Sequence, residues 1–421
     1  MSLISGDEQP LRVAILADDA TGAGDTVAQF AERGWPSYLQ RTDELPPLPS
    51  VSALARSLNT RVLPGPEAFS ITEAATRGML EGGVTRLYLK VDSTMRGSVA
   101  NQLKGALRAW REIYPESFVV LCPAYPAMGR TISRGRLFVD GVALEDSPAG
   151  TDPVTPMRTS SFSELVPGCG IVPAGAPGEL PQAIRAAARE HDVVVVEAAS
   201  AEALDTLSGI IAQLGPKALP AGSAGLALAL AKAWHPHGGS AAAAPVMKIG
   251  GAVLILRTSA NAVSRRQVAR VAESLRSEDV ATLSLTPSDL SSEKSVRDGI
   301  GRSRMLRPGL PVRILEVPDE RIEGESLVEA SRRVARGMAS AVAAIVADAR
   351  IEALVLLGGD GVDATLAALG VRNLRVIRNI VEGVPVSETL ETQGRKLIVV
   401  TKAGGFGDEN TLLTVLDWLR G

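Results

Sequence analysis

Short apolar runs bounded by polar turns alternate with longer amphipathic stretches along this 421-residue chain. Leu11–Ala17, Arg86–Val91, Phe118–Cys122 and Asp192–Glu197 are rich in β-branched residues and read as strands buried on both faces. Helical stretches separate them near Asp25–Arg33, Pro66–Glu81, Val99–Trp110 and Leu180–Glu190. Parallel strands need crossover connections, usually helices. The alternation therefore predicts an α/β fold whose mainly parallel sheet is flanked by helices. Aromatic residues are only 3 % of the chain, so the core must come from Ala, Val, Leu and Ile.

The rhythm breaks twice. From about Pro123 to Ser161 the chain is rich in Pro, Gly, Arg and Asp, with a hairpin signal at Asp140-Gly141. Long irregular segments of this kind are usually functional or disordered, and Arg130, Arg134, Arg136 and Arg158 favour function. The second break runs from His237 to Pro245, small and flexible with no periodicity. After it come strand candidates at Ala252–Leu256, Val312–Val317, Ala353–Leu357, Leu374–Arg378 and Lys396–Val400. Helices are expected at Val263–Arg276, Leu327–Ala349, Val362–Leu369 and Asn410–Arg420. Two domains follow, residues 1–237 and 248–421, joined by a linker at 238–247.

Several function classes drop out. With 44 basic and 47 acidic side chains, nothing pulls the chain toward nucleic acid. Two cysteines, Cys122 and Cys169, build no disulfide framework, and three histidines exclude a histidine-rich metal centre. No apolar run is long enough to span a membrane, and MSLISGDEQP lacks a signal-peptide core. A reducing, cytoplasmic location is the expectation.

Chemistry-bearing residues gather where strands end, which in open α/β sheets is where ligands bind. Asp18, Asp19 and Asp25 share the segment Ala17–Thr26 with two glycines, a set of carboxylates that needs cations or a polyol to offset its repulsion. The bland reading makes Asp25 a helix cap and Asp18-Asp19 a solvated turn. Lys90, Asp92, Ser93, Thr94 and Arg96 form a second cluster suited to a ligand with a carboxylate and several hydroxyls. Its bland reading is a surface Lys90–Asp92 pair with Ser93 or Thr94 as a cap. Arg61 and Arg130 follow other apolar stretches and are as suited to the surface as to the site. In the second half, Gly358-Gly359-Asp360-Gly361, Gly404-Gly405 and Thr258-Ser259 close three strands. Glycines at such junctions let helix amides meet a phosphate. No GxxxxGK[ST] occurs, which excludes a P-loop, and no intact GxGxxG follows the first strand.

Thr21–Thr26 resembles the anion-hole and base motif of ribokinase-type sugar kinases, but there the motif lies late in the chain. A fuller resemblance runs from about residue 12 to 419. Segments 18–26, 90–97, 123–131, 222–227, 358–360 and 401–408 resemble, in order, the motifs of the four-carbon acid sugar kinases. That resemblance implies a sugar-acid-binding N-terminal domain, an ATP-binding C-terminal domain and an active site in the cleft where they meet. It implies transfer of the ATP γ-phosphate to the C4 hydroxyl of a threonate, erythronate or 3-oxo-tetronate. Ser259, Gly358, Gly359, Asp360, Gly361, Gly404 and Gly405 would hold the nucleotide. Asp18, Asp19, Asp25, Arg61, Lys90, Asp92, Ser93, Arg96 and Arg130 would be the substrate-side residues. This chain departs from the family at Thr258, where Gly usually precedes Ser, and at Gly361, where Thr is common.

Phosphoryl transfer needs positioning, a base for the hydroxyl proton and cations over the developing charge. Asp25, Asp19 and Arg96 are the expected catalytic groups, with Asp25 favoured as base because glycine amides precede it. Mg²⁺ is expected with ATP, with ligands not assigned. The partners are a sugar acid and ATP, without nucleic acid or membrane, and homo-oligomerisation stays open. Two rival classes remain. A non-catalytic sugar-acid sensor would bind without releasing ADP and would not need three glycine loops. A nicotinamide-dependent oxidoreductase would change nicotinamide absorbance, and it lacks the fingerprint.

Overall fold

The computed structural model describes residues 11–42, 48–49, 51–152, 155–176, 178–235, 248–259, 261–317, 327–390 and 396–421. The linker expected at 238–247 lies outside the described residues. The chain divides into two compact units, residues 1–242 and 243–421.

In the first unit the strands are β1 (Leu11–Ala17), β2 (Ser37–Gln40), β3 (Val51–Ser57), β4 (Arg86–Lys90), β5 (Phe118–Cys122), β6 (Arg130–Ser133), β7 (Arg136–Val139), β8 (Val142–Ala143), β9 (Gly170–Val172), β10 (Val193–Val196) and β11 (Ala218–Gly222). The helices are α1 (Ala20–Ala31), α2 (Gly65–Glu81), α3 (Val99–Trp110), α4 (Phe162–Leu165), α5 (Leu180–Ala187), α6 (Ala201–Leu214) and α7 (Ala224–Ala233). Strands β2-β3-β1-β4-β11-β5-β10-β9 lie side by side, all parallel. Strands β6 to β8 form a separate antiparallel meander, with the expected turn at Asp140-Gly141. Apolar side chains of the central strands, among them Val13, Ile15, Leu54, Val119 and Val194, are fully buried. Each such side chain contributes about 1.5–3 kcal/mol by leaving water.

The second unit carries β12 (Ala252–Arg257), β13 (Val280–Ser284), β14 (Val312–Glu316), β15 (Ile351–Leu357), β16 (Asn373–Val381), β17 (Val384–Thr389) and β18 (Ile398–Lys402). Its helices are α8 (Ala262–Ser274), α9 (Glu293–Gly301), α10 (Leu327–Asp348), α11 (Gly359–Ala368) and α12 (Thr411–Arg420). The order is β13-β14-β12-β15-β18-β17-β16, with the first five parallel and β17 antiparallel to both its neighbours. Helices α8 and α12 bury Val268, Val271, Leu412, Val415 and Leu419 against it.

Strand order reverses beside β1 in the first unit and beside β12 in the second. Strand β1 has β3 on one side and β4 on the other, and β12 likewise separates β14 from β15. Such reversals splay the loops beyond the strand ends and leave a crevice. The register makes the crevice sharp. Ala17 pairs with both Ser57 and Lys90, so the chain leaves β1, β3 and β4 at one level. Arg257 pairs with Leu357, and Leu357 with Lys402, giving the same alignment in the second unit.

Two expected helix starts move. Helix α1 begins at Ala20, not near Asp25, because the Asp19 side chain accepts from the Gly22 amide and caps it. Helix α11 begins at Gly359, not Val362, so the glycine turn is its first turn. Four strands of the first sheet (β2, β3, β9 and β11) were not expected. Strand β11 reads ALPAG, and its Pro and Gly argue against a central strand.

Candidate functional site

In the first unit, three strand-end loops converge on one guanidinium. Arg61 donates from Nε to Asp18 Oδ2 at 2.7 Å and from Nη2 to Asp18 Oδ1 at 3.0 Å. The same Nη2 lies 2.9 Å from Asp19 Oδ1 and 3.6 Å from Asp92 Oδ1. Backbone bonds from the Thr60 and Arg61 amides to the Asp18 carbonyl, 3.0 and 3.3 Å long, fix the loop that carries it. Gly97, at φ 87°, packs against the Arg61 carbonyl so closely that a Cβ there would lie 2.4 Å from it.

A second fork stands beside the first. Arg96 grips both oxygens of Asp92, from Nε at 2.9 Å and from Nη2 at 2.8 Å, while its Nη1 reaches Asp152 at 3.0 Å. Asp92 also accepts from the Thr94 amide and hydroxyl. Burial would raise the Asp92 pKa, but Arg61 and Arg96 outweigh it and hold the carboxyl well below the usual range. Asp18 differs. Its burial, with the Asp19 charge beside it, pushes its pKa up against the pull of Arg61.

These contacts correct two sequence expectations. Lys90 and Asp92 do not form a surface pair, for both are buried and Asp92 belongs to the two arginines. The bidentate face of Arg96 is taken by a carboxylate of its own chain, so it does not stand open for a ligand. The arginines of segment 123–161 make local contacts or face solvent. Arg130 donates to the Met128 carbonyl, Arg136 pairs with Glu145, and Arg134 and Arg158 are exposed. What the segment sends to the site is Asp152, a residue the sequence did not single out.

The remaining residues occupy distinct positions. Lys90 is buried, and its ammonium has no hydrogen bond or ion pair at bonding distance among the described residues. Its ammonium lies against the first turn of α1, where a Cβ on Gly22 would sit 2.8 Å from Nζ. Asp25 is buried one turn further on, and three-residue spacing puts it on the same side of α1 as Gly22. Ser93 is half-buried and its hydroxyl has no partner among the described residues.

The second unit presents backbone where the first presents charge. The Thr258 and Ser259 amides donate to the Leu357 carbonyl at 3.0 and 3.1 Å, locking the β12 loop onto the end of β15. Close approach is possible only because the opposing residues are glycines. A Cβ on Gly361 would lie 2.2 Å from Thr258 Oγ1, and one on Gly404 2.2 Å from Ser259 Oγ. Gly358 precedes α11 without any side-chain cap, and Gly359, Asp360 and Gly361 form the first turn. The first four amides of a helix lack partners within it. The amides of Gly404 and Gly405 likewise donate to nothing among the described residues. Uncommitted N–H groups of this kind are what phosphate oxygens accept from. Arg257, buried beneath the loop, holds the Ser259 and Val317 carbonyls at 2.9 and 2.7 Å and pairs with Glu316 at 3.0 Å. Among the described residues no group of three or more carboxylate, histidine or cysteine ligands is placed to hold a metal. None of their helices is long and apolar enough to cross a membrane.

Comparison with known proteins divides the chain the same way. Residues 13–230 match a sugar-binding N-terminal domain and residues 254–412 a nucleotide-binding C-terminal domain. A D-threonate kinase of Bordetella bronchiseptica is 33 % identical over 97 % of each chain. A 3-oxo-tetronate kinase of Salmonella typhimurium is 28 % identical, covering 95 % of this chain and 97 % of its own. A solved Haemophilus influenzae structure shares the fold, with a TM-score of 0.73 at 22 % identity over 97 % of this chain and all of its own. Both halves are thus accounted for at nearly full length, and the chain belongs to the four-carbon acid sugar kinase family, a family of sugar acid kinases.

Proposed function

We propose that this protein transfers the γ-phosphoryl group of ATP, with Mg²⁺, to the C4 hydroxyl of a four-carbon sugar acid: a threonate, an erythronate or a 3-oxo-tetronate. The observation that carries the reading is the presence of two unlike crevices, one in each unit, the first lined by fixed charges and the second by uncommitted amides. The D-threonate and 3-oxo-tetronate kinase relatives support the substrate class. The domains run from 1 to 237 for the sugar acid and from 248 to 421 for the nucleotide.

In this reading Lys90 is the counter-ion of the substrate carboxylate, since Arg61 and Arg96 are already engaged by aspartates. Those two arginines hold Asp18, Asp19 and Asp92 in place to accept from the hydroxyls of the substrate. Ser93 and Arg130 add polar contacts. The base must be a carboxylate able to take a proton. Asp92 is held ionised too firmly, and Asp19 is committed to the Gly22 amide and Arg61. Both oxygens of Asp18 accept from Arg61. Asp25 has contacts of its own, but it is buried on the side of α1 that Lys90 faces and follows the glycine amides of that helix's first turns, and it is the proposed base. Ser259, the Gly358–Gly361 turn and Gly404-Gly405 receive the phosphates, and Mg²⁺ would come bound to them, since Mg²⁺ commonly keeps to phosphates and waters.

The test is ADP release measured over D- and L-threonate, D- and L-erythronate and their 3-oxo forms. Release driven by at least one of them is expected. Release with none, while ATP still binds, would move the substrate to a different acid sugar.

A further inference from the structure

The loop that follows β18 is turned inside out by three buried side chains that the kinase reading does not use. Lys402 is among the most deeply buried large side chains of the protein, yet it carries an ammonium. Its Nζ donates to the carbonyls of Ala403 at 2.7 Å, Gly404 at 3.3 Å and Phe406 at 3.0 Å, all within the next four residues. From α8, the fully buried Ser264 hydroxyl donates to the Gly404 carbonyl at 2.7 Å. The fully buried Gln267 amide donates to the Phe406 and Asp408 carbonyls at 3.1 and 2.5 Å. Four carbonyls of residues 403–408 therefore point at interior donors, while the Gly404 and Gly405 amides donate to nothing described.

We propose that Lys402, Ser264 and Gln267 are positioning residues for the nucleotide: by holding these carbonyls inward they present the Gly404 and Gly405 amides to its phosphates. The inference rests on the nucleotide reading of the second unit. It differs from the usual expectation for a lysine beside a glycine loop, namely direct contact with phosphate, because all three Lys402 bonds go to backbone oxygen. Carbonyl dipoles facing a phosphate would repel it, and an unheld glycine loop would sample conformations that present them. Capture of the carbonyls removes both effects and leaves a positive charge beneath the amides. Burial lowers the Lys402 pKa to about 8, so at neutral pH its three protons match three acceptors.

The experiment is calorimetric titration of the full chain with ADP and with adenosine, using wild type, Ser264→Ala, Gln267→Met and Lys402→Met. Each neutral substitution is expected to weaken ADP about fivefold to tenfold, the loss of one or two hydrogen bonds. Lys402→Met should weaken it more, about a hundredfold, with adenosine affinity unchanged in all three variants. Equal weakening of ADP and adenosine would reduce the residues to structural ones and overturn the proposal. Unchanged ADP affinity in Ser264→Ala and Gln267→Met would overturn it as well, even were Lys402→Met not to fold. A wild-type protein that binds neither ADP nor ATP would instead overturn the nucleotide reading itself.

Discussion

The two units solve the same geometric problem with opposite materials. Each opens a crevice where a parallel sheet reverses its strand order, and each aligns three strand ends by register. The first fills its crevice with charged side chains that restrain one another: Arg61 among Asp18, Asp19 and Asp92, and Arg96 between Asp92 and Asp152. The second removes side chains and offers amides, keeping its cations, Arg257 and Lys402, underneath. A polyhydroxy acid differs from its isomers by the placement of single hydroxyls, which directional side chains can read. Phosphates are the same in every nucleotide, so a glycine-lined backbone suffices.

The contrast can be broken by substitution. The largest effect is expected from Asp25→Asn, which should lower kcat about a thousandfold by removing the proposed proton acceptor, with ADP affinity unchanged. A coupled ADP assay giving near-wild-type kcat would move the base to another carboxylate. Asp92→Asn should cost about 3 kcal/mol of unfolding free energy in urea, because it strips a buried partner from two arginines. Gly404→Ala should raise KM for ATP about a hundredfold with little change in stability, since the added Cβ meets Ser259 Oγ. If Asp92→Asn weakened ADP as much as Gly404→Ala does, the division of labour between the units would be wrong.

The titrations sharpen the comparison with smaller effects. Asp92 has a depressed pKa, so its stabilisation is complete above its unfolded value of about 4 and is lost as pH falls through the lower folded one. The deficit of Asp92→Asn against wild type should therefore shrink in acid. Lys402 behaves as a buried base. Its folded pKa of about 8 lies below the unfolded value of about 10.4, so the unfolded state binds more protons in that interval. Wild-type stability relative to Lys402→Met should rise, by about 1 kcal/mol or more, as urea unfolding is repeated from pH 8 to pH 10.

Legibility in the sequence followed the same divide. Leu11–Ala17, Phe118–Cys122 and Val99–Trp110 were readable to the residue, because an unbroken apolar run or a strong amphipathic pattern leaves one choice. Strand β11 was not, since its burial between β4 and β5 overrides the preferences of Pro220 and Gly222. The aspartates and arginines near strand ends announced a polar crevice, but not that Arg96 would close on Asp92. Asp152 lies 56 residues from Arg96, and no local pattern links them.

Residue order alone determined the α/β class, the break near residue 240 and the charged and glycine-rich strand ends, for these depend on periodicity and on residue type at turns. Only the tertiary structure decided which charges pair and which donors lie beneath a loop. Register brings Ala17, Ser57 and Lys90 to one level, and burial then favours partners for the charges enclosed there, as Arg61 finds Asp18 and Arg96 finds Asp92. Lys402, Ser264 and Gln267 look like ordinary surface residues in the chain; enclosed between α8 and β18, they become the frame of a loop.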